Sequence, residues 1–472
     1  MNQINDEIFR GYDIRGIAGK DLNSDTMTLL GKAYATFLYQ RQINEAVVGM
    51  DIRQSSQELK KPFIQALLDS GINVTDIGLS LTQIVYFAQY HLLSKGAAMI
   101  TASHNPKEYN GLKLAVGFSD TMIGEEIQET KQIIHGGNFK SYPKTGELKI
   151  ADVFPAYKAD LLKRVPLRDA KFKVVVDSIA ATTGKFLPEI IRATGCEVIE
   201  ANTTPDGSFP LGTPDPTERE HMERLAQKVT TEKADLGFIY DCDGDRIGIV
   251  DEDGRLIWND VLVALFAKDI VNFLPGSSIV FNTLCSKATS DAISQAGGKP
   301  VIWTTGHSFI KAKVKEVRAP FGGELSGHFF FMDNFYGHDD GAFASLRLLS
   351  YLHRTGKSLK QAVDELPVYV SSPEIKLGLP DNIKFQVIKE KITPDLKKLY
   401  PNAEYLDIDG IRMDTTETMA IIRASQNGPY ITVKFEGKTQ AQYDQLKQQV
   451  RTILKSQLEV DWSYGVNTAS LE

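Results

Sequence analysis

Only three cysteines occur in 472 residues, and Cys196, Cys242 and Cys285 lie far apart, without the short spacings of a metal knuckle or a redox pair. This excludes a disulfide scaffold, and each cysteine reads as a small buried hydrophobe in a reducing compartment. An excess of positive charge is also missing: 53 Lys and Arg stand against 60 Asp and Glu, for a net charge of −7. Nucleic-acid surfaces need clustered basic residues, so that class of partner is excluded. No apolar run approaches the length of about 20 residues that crosses a bilayer. The opening residues, Met1–Glu7, lack a basic-plus-apolar secretion pattern, and there is no low-complexity tract. The expectation is a cytoplasmic protein without a membrane partner. If such an acidic chain handles an anion, a few local cations must meet it.

What is present is a repeated pattern in a chain long enough for about three or four domains. Val47–Met50 reads as a short strand, followed by a helix through Leu67, a glycine at Gly71 and a strand over 74–77. The order recurs from Val174, with Gly195 before Val198 and Ile199, and again from Ile279, with Gly297 before Val301. Each glycine falls where a helix should end. Strand, helix, glycine and strand at this length make a βαβ unit, which predicts a parallel sheet with right-handed crossovers. The last segment differs: alternating runs at 419–422 and 430–435 precede a helix carrying Tyr443, Leu446, Val450 and Leu454 at helical spacing. The predicted fold is three related mixed or parallel-sheet α/β domains, 1–153, 154–256 and 257–367, plus a C-terminal α+β domain, 368–472.

Two loops carry the strongest chemistry. Thr101-Ala-Ser-His-Asn-Pro106 follows an apolar strand and presents Ser103 on a turn that Pro106 keeps from continuing as a strand. Alone, such a serine is a helix cap as readily as a nucleophile. Nearby cations change the balance: Lys113 follows an Asn110-Gly111 turn, and Arg10 and Arg15 flank Tyr12 in a glycine-punctuated N-terminal loop. The second loop, Asp241-Cys-Asp-Gly-Asp-Arg246, sets three carboxylates at alternate positions between apolar strands, which suits a hard cation such as Mg²⁺ or Ca²⁺. An EF-hand is opposed by Arg246 at the position needing glycine and by strand flanks. A solvated acidic hairpin and a phosphatase loop with Asp241 as nucleophile are the alternatives.

Further loops add polar groups suited to a sugar phosphate. Phe321-Gly-Gly-Glu-Leu-Ser-Gly-His-Phe329 supplies Glu324, Ser326 and His328, and can equally be a simple turn. His307 follows the third repeat's second strand, at the carboxyl end where α/β ligands bind. Arg423-Ala-Ser-Gln-Asn-Gly-Pro429 joins two strands and combines a guanidinium, a hydroxyl and an amide; as a bare Asn-Gly hairpin it needs no function.

Together, and in this order, these loops resemble the α-D-phosphohexomutase superfamily, in particular its bacterial phosphomannomutase/phosphoglucomutase group. Asp206-Gly-Ser-Phe-Pro and Pro214-Asp-Pro belong to the same pattern. The resemblance implies four domains around one central cleft, and Mg²⁺ held by Asp241, Asp243, Asp245 and a phosphorylated Ser103. It further implies transfer of the phosphoryl group between the 1 and 6 positions of mannose or glucose phosphate through a hexose 1,6-bisphosphate. Tyr12, Arg246, Glu324, Ser326, His328, Arg423, Ser425 and Asn427 would bind substrate. Arg15, His104, Lys113 and His307 would serve the chemistry, Lys113 and His307 as the first candidates for proton transfer and His328 behind them. The partners would be small hexose phosphates, and the chain a monomer or weak dimer.

The chain departs from the family pattern at Asn427 and Gly428, where Thr and Glu are usual, at Leu284, where a substrate-contacting lysine is expected and Lys287 stands nearby, and at Gly212, where histidine is common. Phosphoglucosamine mutase, an Asp241-dependent phosphatase and a non-catalytic sugar-phosphate-binding descendant are the competing functions.

Overall fold

The computed structural model describes residues 4–167, 170–425 and 428–471. It contains two compact units: the chain to Asn259 together with Ser326–Ala362, and Asp260–Leu325 together with the chain from Val363.

The first unit holds two sheets. Strands β1 (Ile14–Ile17), β2 (Glu45–Met50), β3 (Asn73–Leu79), β4 (Gly96–Ile100), β5 (Tyr109–Val116) and β6 (Leu148–Ile150) lie in the order β1-β5-β4-β2-β3-β6. The pairs β2–β3, β2–β4 and β3–β6 are parallel, and β5 runs antiparallel to β4 and β1. Helices Ser24–Gln40, Ser56–Asp69 and Thr82–Leu92 cover this sheet, which is why β4 is buried at every residue rather than alternating. The second sheet is built the same way from β7 (Lys173–Asp177), β8 (Glu197–Ala201), β9 (Leu236–Tyr240), β10 (Ile247–Asp251) and β11 (Leu256–Ile257), in the order β11-β10-β9-β7-β8. Here β7 is parallel to both β8 and β9, while β9 and β10 form an antiparallel hairpin.

The second unit starts from β12 (Ser278–Asn282), β13 (Lys299–Trp303) and β14 (Phe321–Gly323), with β12 parallel to both neighbours. A buried strand of the first unit, β15 (Phe329–Phe331), follows in the chain. The remaining strands of the second unit are β16 (Val370–Ser371), β17 (Ile375–Gly378), β18 (Glu404–Leu406), β19 (Ile411–Asp414), β20 (Thr418–Ala424), β21 (Tyr430–Gly437) and β22 (Asp461–Val466). They make an antiparallel sheet ordered β18-β19-β20-β21-β17-β22, with β16 on β21. Helix Gln440–Ser456 begins with a Thr439/Gln442 capping box and buries Leu446, Val450, Ile453 and Leu454, the face expected from its spacing.

Three α/β layers and a fourth α+β part are therefore present, as the repeats predict. Gly71, Gly195 and Gly297 all take positive φ (+83°, +93° and +86°), so each ends its helix in a conformation that only glycine adopts cheaply. The N-terminal region corrects two expectations. Arg15 lies on β1, so the loop around Tyr12 ends before it. Asn110-Gly111 is not a turn but the start of β5, opposite Gly16 and Arg15. A Cβ on Gly111 would lie 2.2 Å from the Ile14 carbonyl oxygen, so the glycine is there for strand approach. Lys113 therefore projects from a rigid strand.

Among the described residues, no helix is long and apolar enough to cross a membrane. The three cysteines are free and buried.

Candidate active site

In the first unit, the loop after β4 and the loop between β9 and β10 both leave the carboxyl ends of parallel-sheet strands, where α/β folds gather ligands. They meet side chain to side chain. Ser103 is buried and takes φ +49°, a left-handed conformation costly for a non-glycine residue, and Thr101 Oγ1 accepts its backbone N–H at 2.8 Å. This geometry turns the hydroxyl toward the aspartates: Ser103 Oγ donates to Asp241 Oδ2 at 2.8 Å and lies 3.2 Å from His104 Nδ1. Arg53, itself buried, holds the loop by donating to the carbonyls of Ser103, Asn105, Pro106 and Tyr109.

Asp241, Asp243 and Asp245 are fully buried, with one carboxylate oxygen from each lying within 4.8 Å of the others. Asp241 Oδ1 accepts the backbone N–H groups of Gly244 (2.9 Å) and Arg246 (3.2 Å), which curls the loop around it. Thr82 Oγ1 donates to Asp243 Oδ2 at 2.6 Å, and Lys113 Nζ donates to the same oxygen at 2.8 Å and to Asp245. Burial and the two neighbouring carboxylates raise the pKa of Asp241 well above the usual range. For Asp243, burial is opposed and outweighed by the Lys113 ammonium, so its pKa is lowered. Burial likewise opposes the charge on Lys113, but Asp243 and Asp245 hold its pKa well above normal.

A metal fits this cluster on its own geometry. Asp243 Oδ1 and Asp245 Oδ1 are buried and accept no hydrogen bond, an expensive state for a carboxylate unless a cation meets it. The donors are all hard oxygens, the preference of Mg²⁺ or Ca²⁺ rather than of a thiolate-seeking metal.

Around this core stand further cations. Arg15 donates from Nε to Asp13 (2.7 Å) and from Nη1 to Asn105 (2.7 Å), which fixes its guanidinium beside the serine loop. Arg246 Nε donates to His328 Nε2 at 2.9 Å, while His328 Nδ1 lies 2.8 Å from Asp339 Oδ2. By accepting at Nε2, the imidazole orients the guanidinium. Burial, then the positive charge of Arg246 and Arg15, pushes the pKa of His104 well below its ordinary value. Tyr12 and Ser326 are half-buried in the same unit.

The second unit holds the remaining predicted residues. His307 is buried at the start of helix His307–Glu316, and Glu324 Oε1 accepts the Gly306 N–H at 2.8 Å, bracing the turn before it. Arg423 and Ser425 are buried at the end of β20, and Lys384 Nζ braces their hairpin by donating to the carbonyls of Ser425 and Gly428. Asn427 lies outside the described residues. Leu284 packs in an apolar cluster with Met419 and Ile421, against Leu325, and Lys287 pairs with Asp291 at 3.2 Å.

Sequence reasoning missed Arg53, Asp13, Thr82, Lys384 and Asp339. Asp51-Ile-Arg53 directly after β2 and Gly337-His-Asp-Asp-Gly341 were the available signals, a charged pair at a strand end and paired acids beside glycine.

Models of the phosphoglucomutase/phosphomannomutase α/β/α domains I, II and III match residues 6–140, 155–254 and 258–369. The phosphomannomutase/phosphoglucomutase of Pseudomonas aeruginosa is 36% identical over 449 residues, covering 95% of this chain and 96% of its own length. A phosphoglucomutase of Neisseria gonorrhoeae is 33% identical over 98% of this chain and all of its own. A crystal structure of a phosphoglucomutase/phosphomannomutase family protein from Burkholderia thailandensis superimposes with a TM-score of 0.88 at 31% identity, covering 96% and 98% of the two chains. A two-loop serine–aspartate site on repeated α/β layers defines the class of protein. This chain belongs to the phosphoglucomutase/phosphomannomutase family.

Proposed function

We propose that this chain is a cytoplasmic phosphohexomutase that interconverts the 1- and 6-phosphates of mannose or glucose, with Ser103 as its phosphoryl carrier. The observation that carries this reading is the Ser103 hydroxyl, forced by a left-handed turn onto Asp241 of a buried three-aspartate cluster. Asp241, Asp243, Asp245 and the oxygen of Ser103 would hold Mg²⁺, which when bound neutralises charge on the phosphoryl group.

Phosphoryl transfer needs mainly positioning and charge neutralisation. In the forward half-reaction the bond from phosphorus to Ser103 Oγ breaks as a bond to a sugar hydroxyl oxygen forms. The sugar hydroxyl gives up its proton, and the product is a hexose 1,6-bisphosphate. In the second half, the bond from the other phosphorus to its sugar oxygen breaks as a bond to Ser103 Oγ forms, and that sugar oxygen takes a proton back. Lys113, Arg15 and Arg246 supply the fixed positive charge near the serine. His307, Glu324, Arg423, Ser425 and Asn427 are assigned to the sugar and its distant phosphate, together with Tyr12, Ser326 and His328. His307 remains the candidate for accepting the hydroxyl proton, because Lys113, whose pKa Asp243 and Asp245 hold well above normal, keeps its own.

The test is a mutase assay on glucose, mannose and glucosamine 1-phosphates, with Mg²⁺ and a trace of glucose 1,6-bisphosphate. Isomerisation of glucose and mannose phosphates that stops with chelator or with Ser103→Ala supports the reading. Preference for the glucosamine substrate would replace the proposed substrate class. Release of inorganic phosphate by an active Ser103→Ala, abolished by Asp241→Asn, would make Asp241 the nucleophile and overturn it.

A further inference from the structure

Arg423, assigned above to the distant phosphate, does not stand alone in the second unit. Its Nε donates to Asp409 Oδ2 at 2.8 Å, and both side chains are buried, at 7% and 3% exposure. The same oxygen accepts Thr283 Oγ1 at 2.9 Å and the backbone N–H of Thr305 at 3.0 Å. Asp409 sits in the turn between β18 and β19, next to Gly410 at φ +80°; a Cβ on Gly410 would lie 2.3 Å from the Ile422 carbonyl oxygen. The turn is therefore pressed against the end of β20, and Asp409 reaches from there to the segment that leads into His307. On the other side of that segment, Glu324 takes the Gly306 N–H. One carboxylate oxygen thus ties Arg423 to the Thr305-Gly306-His307 turn.

We infer that Asp409 is a positioning residue that sets the Arg423 guanidinium in register with the His307 turn, so that the phosphate and the sugar are met by a preorganised pair. A guanidinium held at Nε by a carboxylate keeps a fixed plane, and its terminal nitrogens form the fork that matches phosphate. Held also by Thr283 Oγ1 and the Thr305 N–H, Asp409 Oδ2 cannot follow the arginine if the arginine moves, so the plane is set by the fold rather than by the ligand. Preorganisation of this kind acts on substrate binding and orientation without touching the reacting atoms. The inference rests on the assignment of Arg423 to phosphate.

The experiment is a double-mutant cycle on steady-state kinetics with glucose 1-phosphate, using Asp409→Asn, Asp409→Ala, Arg423→Ala and the double variant Asp409→Ala/Arg423→Ala, each with a thermal melt. A misoriented charge-assisted contact predicts that KM rises about 10- to 100-fold in Asp409→Ala, more than kcat falls. Asp409→Asn, which keeps an acceptor oxygen and its shape, should recover part of that loss. In the Arg423→Ala background, removal of Asp409 should raise KM by less than about threefold, because its effect passes through the arginine. Equal effects of Asp409→Ala in both backgrounds, or a lower melting temperature with unchanged KM in Asp409→Ala, would make Asp409 merely structural and overturn the inference. An Arg423→Ala variant with normal KM would instead remove the assignment of Arg423 itself.

Discussion

Replacing Lys113 by Met gives the sharpest test of the buried charge arrangement. Lys113 is 3% exposed and bridges Asp243 and Asp245, both fully buried, while Asp241 adds a third carboxylate to the same small volume. Methionine matches the stem of lysine but removes the only ammonium these two aspartates share in the described residues. Breaking a buried pair by deleting one partner costs about 3–5 kcal/mol, because the remaining charge stays desolvated. At about 2 cal/mol/K per residue over the roughly 300 residues of the first unit, each kcal/mol moves the melting midpoint by about 1.5–2 °C. The variant should therefore melt about 5–9 °C lower in chelator at pH 8. The sign with pH is also fixed. The lowered pKa of Asp243 gives stability that is present above its ordinary value of 3.8 and lost as pH falls below it. The raised pKa of Lys113 gives stability that is present below 10.5 and lost as pH rises through its higher folded value. In the parent the pairing is therefore complete at both pH 5 and pH 8. Without the ammonium the carboxylates hold protons more readily, so the deficit should shrink toward pH 5. Scanning calorimetry at both pH values checks this, and a Lys113→Met chain as stable as the parent at pH 8 would refute the reasoning.

Two further outcomes follow from the packing. Gly111→Ala drives a Cβ into the Ile14 carbonyl, should separate β1 from β5, and is expected to cost about 1–3 kcal/mol while displacing Arg15; an unchanged melt together with unchanged kcat/KM would contradict it. Asp340, which caps helix Gly341–Thr355 and accepts Tyr157 Oη at 2.7 Å, has its pKa pushed up from 3.8 to about 7 by burial. A carboxyl with a raised folded pKa contributes stability that is complete below about pH 4 and lost as pH rises through about 7, up to about 4 kcal/mol in all. Asp340→Asn, always neutral, should gain on the parent steadily between pH 4 and pH 8, and a difference in melting temperature that stays flat across that range would show the group is not titrating there.

Much of the fold was legible because it depends on local rules. Strand, helix and glycine recur with the period of a βαβ unit, and the three glycines sit at positive φ as the caps require. The aspartate loop was legible for a similar reason, since alternate aspartates between apolar strands gather their carboxylates in one small volume. What stayed hidden depends on distant partners. Asn110-Gly111 has the composition of a turn, yet the Ile14 carbonyl pressing on Gly111 makes it a strand. Arg53 looks like a surface arginine after a strand and is instead the buried brace of the serine loop, because its carbonyl partners lie 50 to 56 residues away. His328 read as a sugar-loop residue beside Glu324 and Ser326, but its two ring nitrogens face Arg246 and Asp339. The left-handed backbone of Ser103, the feature that aims its hydroxyl, has no sequence signature at all.

The central claim is that Ser103 carries a phosphoryl group and gives it to the sugar. Intact mass of the purified chain, before and after incubation with glucose 1,6-bisphosphate and Mg²⁺, tests this most directly. The account predicts a gain of one phosphoryl group, located on Ser103 by peptide mapping, absent in Ser103→Ala, and lost on adding glucose 6-phosphate as bisphosphate forms. A chain that never takes up phosphate, or that takes it up equally in Ser103→Ala, would contradict it.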